Sequence, residues 1–261
     1  MLSKNKIKWI NSLKQKKVRS ETGLFLMEGD KLVTEVLADR NIPVVELVST
    51  SAWLRQNQIM LHGGIHQISE ASEAEFQKVT SFETPTGVMA ILKIPCREYH
   101  EPDLTGRLSI SLDTIQDPGN LGTIIRTADW FGIRNIFCSP GCADCFNPKV
   151  VQASMGAILR VGVYYTPLED LLKNLIRLKG YYIYGSYLEG ASVYEQSFSA
   201  GGMMVFGNES KGIHPSLQPL IQVPLTIPSF SSHKDHVESL NVSAAVAVFC
   251  SEFFRDQARK A

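Results

Sequence analysis

Residues 112–128 read Leu112-Asp113-Thr114-Ile115-Gln116-Asp117-Pro118-Gly119-Asn120-Leu121-Gly122-Thr123-Ile124-Ile125-Arg126-Thr127-Ala128. The stretch Leu108–Asp113 enters an Asp-Pro-Gly-Asn turn, and apolar residues then recur at helical spacing through Leu121–Phe131. This is a buried strand, a turn and a helix. Ligands of α/β sheets sit beyond the carboxyl ends of strands, so the turn is a candidate binding loop. Gly122 permits close backbone approach. Arg126 returns towards the face of Gly122 one helical turn later. The competing reading is a plain turn followed by a surface arginine.

Working outward, the same grammar repeats towards the C-terminus. Strands are predicted at Asn135–Cys138, Val161–Tyr165, Tyr181–Ser186, Met203–Phe206 and Ile221–Leu225. Asn147-Pro148 pairs an N-cap with proline at the first helical position, opening a helix through Leu159. Further helices cover Leu168–Leu178 and Val242–Arg255. Alternating strands and helices imply a mostly parallel sheet covered on both faces. Two more strand ends carry unusual loops. Val205-Phe206-Gly207-Asn208-Glu209-Ser210-Lys211-Gly212-Ile213 brackets its loop with glycines. Val223-Pro224-Leu225-Thr226-Ile227-Pro228 runs through a polar loop to Glu238-Ser239-Leu240-Asn241-Val242-Ser243. Each also reads as ordinary helix capping, with Ser239 or Asn241 as the N-cap of the last helix.

Towards the N-terminus, residues 3–18 read as one basic amphipathic helix with Ile7, Ile10, Leu13 and Trp9 on its apolar stripe. Gly23 breaks it. Strands at Leu24–Met27, Pro43–Val48, Ile65–Ile68 and Gly87–Leu92 alternate with helices at Gly29–Asp39, Ala52–Gln56 and Glu70–Lys78. The polar, proline-containing stretch Pro95–Gly106 reads as a linker. The expected organisation is a small α/β domain at 1–94, a linker at 95–106 and a larger α/β domain at 107–261.

Composition sets the outer limits. The 261 residues are 44% hydrophobic and 20% charged, which supports globular cores and argues against global disorder. The formal net charge is zero, yet Lys4, Lys6, Lys8, Lys14, Lys16, Lys17 and Arg19 crowd a segment without any acid. Such a segment suits a polyanion or is simply a solvated helix face. The opening residues have no apolar stretch of a secretory signal, and no window reaches the length of a membrane span, so a cytoplasmic protein without a membrane partner is expected. Cys142 and Cys145 form a single C-x-x-C near Cys138, without the second pair a structural zinc would need. They read as incidental thiols. His233 and His236 lack a partner cluster, so no metal is expected.

Taken in order, Asn120-x-Gly-x-x-x-Arg126, Gly207-x-Glu-x-x-Gly212 and Ile227-Pro228 followed by Ser239-Leu-Asn-Val-Ser243 resemble the SpoU branch of the SPOUT RNA methyltransferases. Pro148-Lys149 with Ser154 and Gly156 resembles a further segment of that family. Gly23-Leu-Phe-Leu-Met-Glu-Gly29, after a lysine-rich helix, resembles the ribosomal-protein-like RNA-binding domain that precedes many members. The resemblance covers nearly the whole chain. The loop 229–236 is longer than the family's usual one, which leaves its contacts with the cofactor open.

The resemblance implies a SPOUT domain with a C-terminal trefoil knot and an S-adenosylmethionine cofactor contacted by Gly207, Ile227 and Leu240. It implies methyl transfer to a ribose 2′-hydroxyl of ribosomal or transfer RNA, with ribosomal RNA favoured by the separate N-terminal domain. Arg126, Asn120, Glu209, Ser239 and Asn241 are the implied catalytic set. Lys14, Lys16, Lys17 and Arg19 are the expected RNA contacts, and a homodimer through the knotted domain is the expected assembly. The alternatives are an RNA-binding protein of the same fold without catalysis, or an unrelated nucleotide-binding enzyme.

Overall fold

The computed structural model describes residues 1–39, 42–61, 64–231 and 238–260. In chain order the elements are α1 (Lys4–Ser12), α2 (Lys16–Thr22), β1 (Leu24–Glu28), α3 (Asp30–Ala38), β2 (Val44–Thr50), α4 (Ser51–Gln56), β3 (Ile68–Ala71), α5 (Glu73–Phe76) and β4 (Val88–Lys93). Then come β5 (Leu108–Leu112), α6 (Pro118–Trp130), β6 (Asn135–Cys138), α7 (Pro148–Ser154), β7 (Gly162–Tyr165), α8 (Leu168–Leu175), β8 (Tyr181–Ser192), β9 (Gly201–Phe206), β10 (Val223–Thr226) and α9 (Val242–Lys260). Two compact units result: Met1–Cys96 with Asp144–Gly156, and Arg97–Ala143 with Ala157–Ala261.

In the first unit, β1-β4-β2-β3 form a sheet in that order, antiparallel except for the parallel β2–β3 pair. Ile10, Leu13, Leu26, Val48, Phe76, Met89 and Ile91 pack into one core beneath it. Each such side chain, once buried, stabilises the fold by about 1.5–3 kcal/mol before the entropy of ordering is subtracted.

The single basic helix expected at the N-terminus is two helices. The reason lies in the carbonyls that any helix end leaves without partners. Arg19 folds back from α2 and its Nη1 donates to the carbonyls of Leu13 (3.0 Å) and Lys14 (2.7 Å). Its Nε donates to the Asp144 carboxylate at 3.1 Å, and Nη2 pairs with the same carboxylate. Arg19 is only 2% exposed, so it is not available to RNA, contrary to expectation. Gly23 caps α2 at φ +66°, a left-handed conformation that favours glycine. Two neighbouring elements are shifted from their predicted bounds. Ser72 and Glu75 form a reciprocal capping box that starts α5 later than predicted and frees Ile68–Ala71 to pair with β2.

In the second unit all strands are parallel, in the order β10-β8-β9-β5-β6-β7. The chain starts at β5, builds outward through β6 and β7, then returns to the other side, where β8 is laid down first, β9 fills the place between it and β5, and β10 takes the edge. The boundary between β5 and β9 is therefore a topological switch point, where open α/β sheets bind ligands. Segment 97–106, read as a linker from its polarity, is packed within this unit. Leu104 is fully buried, and Tyr99 meets Phe137 edge-on at 4.8 Å. Val242, Val246, Phe249 and Phe253 of α9 are buried in the unit's own core, and Phe254 stacks on Phe131 at 5.5 Å. The apolar side chains of this helix are thus largely spent inside the chain. Among the described residues no helix is long and apolar enough to cross a membrane.

Candidate functional site

Three loops leave the carboxyl ends of β5, β9 and β10. The first turns sharply at Thr114, a β-branched residue held at φ +59°. Such a backbone costs on the order of 1–3 kcal/mol and persists only where surroundings over-determine it. Here they do. The Thr114 N–H donates to Ser139 Oγ at 2.8 Å, and its Oγ1 donates to Asp113 Oδ1 at 2.9 Å. Its carbonyl accepts Asn208 Nδ2 at 2.9 Å. Next to it, Cys142 Sγ accepts the Ile115 N–H and donates to the Leu112 carbonyl, both at 3.2 Å. The thiol proton thus bridges to backbone. Hydrogen bonding from Cys138, then from Ile115 and Ser139, holds the Cys142 pKa down to about 7 against the opposing effect of burial. Cys142 is a strut for this turn, not an incidental thiol.

Asp117 caps α6, its Oδ1 accepting the Asn120 N–H at 2.8 Å, with Pro118 at the first helical position. The helix begins three residues earlier than predicted, so Asn120 sits in its first turn with its side chain fixed. From there Asn120 Nδ2 donates to Glu209 Oε1 at 2.7 Å, and Asn120 Oδ1 accepts Asn241 Nδ2 at 2.9 Å. One side chain therefore joins all three loops. Asn241 is also the N-cap of α9: its Oδ1 accepts the Ser243 N–H at 2.9 Å and the Ser243 hydroxyl at 2.6 Å.

The Glu209 loop is held equally firmly. Asn208 exchanges both backbone hydrogen bonds with Gly212, at 3.0 and 2.8 Å, and its Oδ1 accepts the N–H groups of Ser210 and Lys211. The buried Asp113 carboxylate accepts the His214 N–H at 2.8 Å, tying the far end of the loop to β5. At Gly207 a Cβ would lie 2.1 Å from the Gly212 carbonyl carbon, so no side chain fits. Gly207→Ala is expected to displace the loop, cost about 1–3 kcal/mol of stability as overpacking does, and weaken cofactor binding. Denaturant unfolding and calorimetry measure both, and wild-type values would show that the loop relaxes freely.

Asp113, Asn208 and Cys142 were not among the sequence-predicted site residues. The first two stand at strand ends, which was the available signal. The other candidates are placed differently. Ile227 is half buried, Ser239 is exposed, and Leu240 is 51% exposed although apolar. Arg126 is exposed on α6, and no hydrogen bond or ion pair joins it to Asn120, Glu209 or Asn241 among the described residues. Helix geometry explains this: six residues beyond Asn120, it lies about 9 Å along the axis and about 120° around it. His233, His236 and most of loop 229–236 lie outside the described residues. Among the described residues no group of three or more His, Cys, Asp or Glu is arranged to hold a metal.

Known proteins resemble this chain in sequence and fold. A family model described as an MRM3-like substrate binding domain matches residues 4–90. The chain is 33% identical to the 23S rRNA (guanosine(2553)-2'-O)-methyltransferase RlmP of Bacillus subtilis over 93% of both chains. A protein assigned to the TrmH family of RNA methyltransferases, from Porphyromonas gingivalis, superposes with TM-score 0.83 at 40% identity, covering 97% of this chain and 98% of its own. An AdoMet-bound rRNA methyltransferase from Sinorhizobium meliloti superposes at 0.81 with 28% identity, covering 98% of this chain and 97% of its own. The family model described as SpoU rRNA Methylase matches residues 107–251, from β5 well into α9 and across all three loops, and the chain belongs to that family.

Proposed function

We propose that this chain methylates a ribose 2′-hydroxyl of ribosomal RNA, using S-adenosylmethionine. The observation that carries the reading is Asn120 linking Glu209 and Asn241 beyond β5, at the switch point of a parallel sheet. That network is intact, which disfavours an RNA-binding protein without catalysis. The cofactor fits the loops: Gly207 brings backbone groups close together, and the exposed apolar Leu240 and half-buried Ile227 offer apolar contact to an adenosine.

S-adenosylmethionine supplies an electrophilic methyl group on a sulfonium. The ribose oxygen takes it in line, the C–S bond breaks as the C–O bond forms, and the 2′-hydroxyl proton must leave. Arginine stays protonated, so Arg126 stabilises the developing alkoxide and an adjacent phosphate instead of acting as a base. The proton leaves to that phosphate or to water. Asn120 aims the Glu209 carboxylate, Asn241 fixes Asn120, and Ser239, two residues before Asn241, positions the ribose. The decisive experiment is single-turnover methyl transfer to ribosomal RNA fragments, with the 2′-O-methyl position mapped. Absence of transfer to any of them would exclude the substrate class.

The proposal includes residues 1–94 as the RNA-docking domain and 107–261 as the methyltransferase domain with its trefoil knot, with Asp144–Gly156 packed in the docking domain's compact unit. It includes a homodimer that completes the site. Arg126 and Trp130 share one face of α6, and Trp130 is 86% exposed, so a second copy can meet that face. Sedimentation equilibrium tests the assembly.

For RNA docking the side chains differ. Lys14 donates to the Thr80 carbonyl at 3.0 Å and is half buried, whereas Lys16 and Lys17 are exposed. Neutralising Lys16 and Lys17 together is expected to weaken RNA binding and lower its salt slope by roughly 1 per lost phosphate contact, with cofactor affinity unchanged. An unaltered slope would mean that these lysines are a solvated face.

A further inference from the structure

The first unit holds a cavity of about 290 Å³, lined among others by Lys14, Glu28, Ser81, Phe82, Lys149 and Gln152. It contains none of the residues of the catalytic network. Its size is near the lower bound for small-ligand pockets, about 300 Å³. Its chemistry is mixed: two ammonium groups, one carboxylate, two amides and one aromatic ring.

The carboxylate is the informative part. Glu28 Oε1 accepts the Thr80 hydroxyl and Oε2 accepts the Ser81 N–H at 2.9 Å. A carboxylate has about four lone-pair sites, so each oxygen keeps one acceptor position, side by side. Burial raises the Glu28 pKa, opposed by the Thr80 and Ser81 hydrogen bonds and by the charge of Lys14. A partly desolvated carboxylate of this kind gains most from a partner with two parallel donors. Phe82 is half buried, its ring edge over Gly29. Lys149 is exposed at the rim.

We propose that this cavity receives one unpaired guanine nucleotide of the RNA, stacked on Phe82, with N1–H and the 2-amino group on Glu28 and its phosphate held by Lys149 and Lys14. The inference rests on the RNA-docking role of this unit. Unpaired bases are read by stacking on aromatic rings and by their Watson–Crick edges. Only guanine presents two adjacent donors on that edge. Adenine, cytosine and uracil each place at least one acceptor against the carboxylate, which repels it.

Saturation-transfer NMR of the full-length protein with 5′-GMP, AMP, CMP and UMP tests this. GMP is expected to bind several-fold better than the others. Phe82→Ala should weaken GMP roughly tenfold, as loss of a stacking platform does. Glu28→Gln should abolish the preference, because an amide offers only one acceptor. Lys149→Ala, an exposed change that leaves folding intact, should weaken all four nucleotides alike. S-adenosylmethionine affinity, measured in parallel, should not move. A GMP signal undiminished in Phe82→Ala and Glu28→Gln, or equal binding of all four nucleotides, overturns the proposal. If that happens while the Lys16 and Lys17 salt slope behaves as expected, the pocket falls and the docking role stands. Loss of both removes the docking role as well.

Discussion

Arg126→Ala is expected to slow single-turnover methyl transfer by on the order of a hundredfold or more at saturating cofactor, the loss typical of removing one donor to a developing oxyanion. The side chain is exposed on α6 and has no protein partner among the described residues, so its charge is available to substrate. A group that acts on charge arising only during transfer should change the rate and leave ground-state binding alone. S-adenosylmethionine affinity should therefore stay near wild type. Stability should too, since an exposed helical position tolerates alanine well. Arg126→Lys should recover little, because a point ammonium lacks the planar two-point grip on phosphate and ribose. A near-normal rate for Arg126→Ala would remove it from the mechanism.

Arg19→Ala should act on a different quantity, stability. Its guanidinium is 3% exposed and its partner Asp144 16%, so the pair is largely desolvated. Removing one member of a buried pair strands the other charge, a loss of about 3–5 kcal/mol. The carbonyls of Leu13 and Lys14 lose their donors as well. Arg19→Lys should rescue only partly, since one ammonium cannot serve a carboxylate and two carbonyls in the same geometry. Denaturant unfolding gives the answer directly. A loss below about 1 kcal/mol would place Arg19 among ordinary surface residues and reopen its assignment to RNA.

The contrast between these two arginines shows what the sequence could carry. Both sit in helical stretches, and both were candidates for contact with RNA. Local pattern distinguishes neither, because the partner that buries Arg19 lies 125 positions away. The same limit hid the break between α1 and α2, whose cause is a side chain further along the chain. The parallel sheet and its three loops were legible, since strand-end glycines, prolines and asparagines are local signals. The identities of Asn120, Glu209 and Asn241 came with the resemblance, and the structure adds how they meet. Positions that act through backbone geometry were not legible. Thr114 at positive φ, Cys142 as a strut and Asp113 holding His214 leave no periodic trace.

Asn241 caps α9 and at the same time binds Asn120, 121 positions earlier. Closing so long a loop carries an entropic cost that the packing of the intervening sheet must offset. On the ribosome, every other part of the network has been synthesised before this residue leaves the exit tunnel. A nascent or prematurely terminated chain can thus carry Asn120 and Glu209 and still lack the residue that locks Asn120 in place. The geometry of the Asn120–Glu209 pair is therefore complete only once residue 241 has joined it.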